Sequence, residues 1–168
     1  MPLSMHQASA PVFRAGLTHL SAILDKAAAH GAERGLDPAV LLSSRLAPDM
    51  FPLTRQVQIA ADFAKGAVAR LAGREVPAYP DTETTIPELQ ARIARTIAFV
   101  DAVPAGEVDG SEERTVELKV GGQAMTFQGQ PYLLGFALPN FYFHLTTAYA
   151  ILRHEGVPLG KRDFIGSI

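Results

Sequence analysis

A chain of 168 residues, 48% of them apolar, is long enough to bury a core within one domain, read here as spanning residues 1–168, without crosslinks. Its 15 basic and 17 acidic residues give a formal net charge of −2 with neither sign gathered into a block, which argues against the basic face that nucleic-acid binding requires. The absence of cysteine removes disulfides, thiolate nucleophiles and thiolate metal sites, so any metal would need His, Asp, Glu or water.

The opening MPLSMHQASAPVF has neither the basic start nor the apolar run of a signal peptide, and no later run approaches the ~20 apolar residues of a membrane span. A cytoplasmic protein with no membrane contact is expected. Over residues 5–30, Phe13, Gly16, Leu17, Leu20, Ile23, Leu24 and Ala27 recur at three-and-four spacing, which predicts helix one, ending near Gly31 or Gly35. Asp37-Pro38, a cap followed by a first-turn proline, opens a short helix over residues 36–46. A second long helix is predicted over residues 53–72, stopped by Gly73. REVPAYPDTETT reads as a loop. Helix three starts near Thr85, a cap with Glu88 in the first turn, and aligns Ile86, Leu89, Ile93, Ile97 and Val100.

After Pro104 the period becomes alternating. RTVELKV, Gly121-Gly122 and QAMTFQG predict a hairpin with Val116, Leu118 and Val120 on one face. Residues 130–155 form the most apolar and aromatic segment, helix four. Pro139 would remove a helical hydrogen bond and crowd the carbonyl of Gly135, so a kink or a fresh helix start is expected one residue before Asn140. Gly156 ends that helix, and the tail GVPLGKRDFIGSI reads as a non-helical strap. The elements add up to an all-α fold, an antiparallel four-helix bundle with a small β-hairpin between helices three and four.

Asn140, His144 and Thr147 fall close together on helix four, and the first two are candidates for one small polar pocket. The plainer reading of a lone histidine on an apolar face is a hydrogen-bonded core residue. His154 and His30 read as helix-end residues favoured by the C-terminal dipole, and His6 as part of a frayed terminus. His19, at the edge of the helix-one stripe, reads as an exposed boundary residue. If it instead points inward toward His144, Gln56 or Asp62 from helix two would complete an oxygen-containing site. HExxH, Walker, GxSxG and GxGxxG patterns are absent. Lys161, Arg162 and Asp163 read as a solvated turn, with an anion site as the alternative. The six rings of Tyr132, Phe136, Phe141, Tyr142, Phe143 and Tyr149 exceed what one buried stripe holds. Some should meet other helices, or a second subunit in a twofold homodimer.

Three stretches, RLAPDMFPLTRQVQIAADFAKGAVARLAG, DTETTIPEL and LPNFYFHLTTAYAILRHEGVPLGKRDF, together resemble an uncharacterised bacterial family, domain of unknown function DUF1993, over nearly the whole chain. That family is similar to the DinB and YfiT-like superfamily of metal-dependent enzymes. The resemblance implies a four-helix bundle, often dimeric. In the metal-binding branch it implies one histidine from the second helix and an HxxxH pair from the fourth, holding nickel or zinc. His144 matches the second member of the pair, the first falls on Asn140, and the region of Arg55, Gln56 and Gln58 has no histidine. An amide oxygen replaces an imidazole poorly at such a metal. No metal and no thiol-cofactor activity is therefore carried over, and a DinB-like bundle with a degenerate metal site and a small-molecule pocket at Asn140 and His144 is expected. The competing expectation is a zinc- or nickel-dependent transferase or hydrolase using His144 and Asn140. A third is a non-catalytic dimeric interaction protein.

Overall fold

In the computed structural model, which describes residues 3–166, α1 (Ala10–Arg34) opens with Pro11 in its first turn and closes on Gly35 in the left-handed conformation, φ 63°. It starts later than the apolar periodicity predicts because the preceding residues form turns, tied by Ala8 N–H to Ser4 O and Ala10 N–H to His6 O. His6 is not frayed: its backbone N–H donates to Asp109 Oδ1 at 2.8 Å. His30 is not terminal either, since α1 runs four residues past it and buries it. Asp37 caps α2 (Pro38–Ser43) by accepting from Ala39 N–H.

α3 (Leu53–Leu71) buries Val57, Ala60, Ala64, Ala67 and Val68 along one flank. These small side chains let neighbouring helices approach closely. α4 (Ile86–Asp101) carries the capping box: Glu88 N–H donates to Thr85 Oγ1, and Thr85 N–H donates to the Glu88 carboxylate. The single turn α5 (Ala105–Val108) leads into β1 (Thr115–Val120) and β2 (Gln123–Gln128), an antiparallel pair in register from Thr115↔Gln128 to Val120↔Gln123. Gly121 (φ 56°) and Gly122 (φ 84°) supply the two left-handed positions of the turn. The predicted apolar face lifts off the core along the strand, with Val116 buried, Leu118 half-buried and Val120 exposed.

The predicted fourth helix is divided. The turn α6 (Gly129–Tyr132) runs into a π-helical turn over Leu133–Ala137, and α7 (Leu138–His154) follows. Leu138 N–H donates to Leu133 O, five residues back. The chain has widened by one residue just before Pro139, which lacks the N–H an unbroken α-helix would need there. His154 closes α7 as its spacing predicts. The tail is not wholly a strap. Lys161–Ile165 forms the short helix α8, with Gly160 N–H donating to Asp163 Oδ2. Ser167 and Ile168 of the predicted strap lie outside the described residues, as do Met1 and Pro2.

The molecule is thus mostly helical with one two-stranded antiparallel sheet. α3 packs on α7 and α4, and α1 packs on α4, α7 and α8. One core cluster joins Phe13, Leu17, Leu20 and Leu24 of α1 to Val57 and Val68 of α3, Leu89 and Ile93 of α4, and Phe141, Leu145 and Leu152 of α7. At Gly16 α1 lies tight against α7: a Cβ there would stand 2.7 Å from the Phe141 ring, which meets Phe13 edge-on at 5.0 Å. Among the described residues no helix is long and apolar enough to cross a membrane.

Candidate functional site

α3 and α7 bring one predicted pair together. His144 Nδ1 lies 2.7 Å from Gln56 Oε1, and Gln56 Nε2 in turn donates to Phe51 O at 2.9 Å. Because the amide nitrogen is committed to a carbonyl, the amide oxygen faces the imidazole and can only accept. Nδ1 therefore carries the proton, and the lone pair lies on Nε2. The ring stacks on Phe63 of α3 (centroids 5.9 Å, planes 17° apart) and meets Phe143 edge-on at 5.2 Å. Burial among these rings, helped by the positive charge of Arg55, pushes the His144 pKa down to about 4. At neutral pH the site is an uncharged imidazole held by an uncharged amide.

The other predicted residues go elsewhere. Asn140 Nδ2 donates to Phe136 O, one turn back on its own chain, at 2.8 Å, as short polar side chains on helices often do. It does not share a hydrogen bond with His144. His19 does not point toward His144: its Nδ1 donates to Phe164 O at 3.0 Å, and its ring lies beneath Gly166 in the C-terminal segment. With Tyr142, Phe164 and Ile165 it borders a recess of about 370 Å³ between α1, α7 and α8. Lys161 and Arg162 stay exposed on α8, while Asp163 pairs with Lys26 Nζ at 2.7 Å. The predicted solvated turn is therefore a helical turn, tied to α1 through its acidic residue.

Asp62 belongs to a second cluster, one that spacing along the sequence does not assemble. Arg92 of α4 has a fully buried side chain. It donates to Asp62 Oδ1 at 2.8 Å and to Glu83 Oε1 at 3.1 Å, and pairs with Asp81 at 3.0 Å. Burial opposes its charge, but Asp62 and Glu83 outweigh that and hold its pKa above the usual value. Lys65 pairs with Asp62 at 2.7 Å and sits over the Tyr79 ring at 4.7 Å. Gln58 donates to Glu83, and Arg55 bonds both Gln58 and Asp81. The network ties the 74–85 loop to α3 and α4. Its sequence signal is an arginine at position 92, inside the buried line of Leu89, Ile93 and Thr96.

A nickel or zinc ion as the resemblance implies would need several converging donors. Here the Gln56 oxygen is turned onto Nδ1–H, and Asn140, whose Nδ2 is spent on a backbone carbonyl, offers only an amide oxygen, a poor ligand for such an ion. That leaves Nε2 of His144 as the one good donor of the predicted set. Among the described residues, no group of three or more His, Asp or Glu side chains is placed to hold a metal. The donor set does not fit the ion.

The family model for "Domain of unknown function (DUF1993)" matches residues 5–165. Among solved structures, the crystal structure of a DinB family member protein from Shewanella denitrificans is similar, at 40% identity and a TM-score of 0.89, covering 97% of this chain and 92% of that one. No curated protein matches.

Proposed function

The chain belongs to the DUF1993 family, and on that premise we propose a cytoplasmic, single-domain, DinB-like antiparallel four-helix bundle whose metal position has become a neutral imidazole–amide pair. The pair presents one hydrogen-bond acceptor, Nε2 of His144, at the edge of an aromatic wall formed by Phe63 and Phe143. A small uncharged molecule with an O–H or N–H donor and an apolar body suits this chemistry, whereas a cation does not.

The observation that carries this reading is the 2.7 Å contact between His144 Nδ1 and Gln56 Oε1. Metal analysis after incubation with zinc or nickel and desalting tests it. No stoichiometric ion is expected in the wild type or in His144→Ala; about one ion per chain in the wild type, lost in the variant, would overturn it. The second reading, a divalent-metal transferase or hydrolase, draws on the same tautomer. A histidine whose Nδ1–H is held by an acceptor and whose Nε2 is free has the form of a metal-binding imidazole.

A further inference from the structure

A recess of about 410 Å³ lies between α4 and the 74–85 loop, with Pro80, Thr82 and Glu83 on the loop side and Glu88, Ala91 and Arg95 along the helix. Its volume falls within the range of small-molecule sites. The loop wall is fixed from behind: the buried Arg92 guanidinium donates to Pro80 O and to Glu83 Oε1, both at 3.1 Å. Asp62, Asp81 and Glu83 are all paired with Arg92. Two charged groups on the rim are not spent in this way. The bonds from Thr84 and Thr85 fall on Oε2 of Glu88 and hold its carboxyl below the usual range, while Oε1 has no donor among the described residues. The Arg95 guanidinium sits over the Tyr79 ring, its carbon 3.6 Å from the centroid, and has no ion-pair partner among the described residues.

We propose that this recess binds the two ends of a short free peptide, the ammonium on Glu88 Oε1 and the carboxylate on the N–H edge of Arg95. Stacking on a ring occupies the face of a guanidinium and leaves its in-plane donors to take a carboxylate with two parallel bonds. Glu88 and Arg95 are seven residues apart on α4, so they rise from one face of the helix about 10 Å apart. The small Ala91 lies between them and leaves room for a ligand to run along the helix.

Spacing and charge select the ligand. A single α-amino acid holds its charges only about 3 Å apart and cannot reach both groups, whereas a di- or tripeptide, at roughly 3.3–3.6 Å per residue, spans about 7–10 Å. An anion without an ammonium would leave the Glu88 charge unmatched and be repelled by it. The exposed Thr82 hydroxyl on the loop wall suits a peptide group, which an aliphatic amino acid of equal length lacks.

Titration with trialanine at neutral pH, followed by backbone amide shifts, should give saturable changes at Thr82, Ala91 and Arg95 in the millimolar range or tighter. Trialanine acetylated at its amino end or amidated at its carboxyl end should bind about fivefold more weakly, and ε-aminocaproate should also bind more weakly. Glu88→Gln keeps the capping box, since glutamine serves at that position as glutamate does, and should abolish only the preference for a free amino end. Arg95→Gln should abolish only the preference for a free carboxylate. No saturable change in the wild type, equal binding of the blocked peptides or of ε-aminocaproate, or preferences that survive the substitutions would overturn the proposal.

Discussion

His144 is neutral for two reasons that a substitution can separate. Burial between Phe63 and Phe143, helped by the positive charge of Arg55, disfavours the imidazolium, and Gln56 contributes only a dipole to offset it. Replacing Gln56 by Glu puts a carboxylate at the same hydrogen-bond distance and stabilises the charged ring. The His144 pKa should then rise from about 4 to that of an ordinary imidazole or above, read from its C–H proton shifts against pH. A value that stays near 4 would mean that burial and the Arg55 charge govern the ring whatever occupies position 56. Helical spacing places Asn140 and His144 on neighbouring positions, and it puts Gln56 on the second long helix. Spacing does not say which way an amide turns: Gln56 reaches across to the imidazole, while Asn140 folds back on its own helix.

Short elements depend on close contacts that periodicity cannot register. Gly129, where β2 passes into α6, illustrates this: a Cβ there would overlap the backbone oxygen of Ser111, and backbone cannot swing aside as a side chain can. Gly129→Ala should cost about 3 kcal/mol or more in urea unfolding. Gly106→Ala, in α5 with nothing within 4 Å, should be neutral or gain about 0.5 kcal/mol. Equal effects at both positions would contradict the packing described for Gly129. The capping box of α4 and the Gly-Gly hairpin are legible in the sequence because their signals are local. The π-turn before α7 is legible only as a disturbance at Pro139. α8 is not legible at all, because five residues carry no period and what holds it is remote: Lys26 on Asp163, His19 on Phe164, and Tyr149 edge-on to the Phe164 ring.

Stability of the whole molecule should fall with acid in two stages, set by two sites of opposite chemistry. His144 has a folded pKa of about 4 against an ordinary 6.5, so the unfolded chain takes up the proton first. Its contribution is complete above pH 6.5 and is lost as pH falls toward 4. Glu83 behaves differently. Burial works against its charge, but hydrogen bonds from its own backbone, Gln58 and Arg92 hold its pKa below the usual 4.5. Its contribution is present above 4.5 and is lost only below that, as Glu83 itself takes up a proton and its bond to Arg92 weakens. Urea unfolding of His144→Gln should therefore lose the slope between pH 6.5 and 4.5 while keeping the decline below it. A variant whose stability falls as steeply as the wild type's between pH 6.5 and 4.5 would place the first stage elsewhere in the molecule.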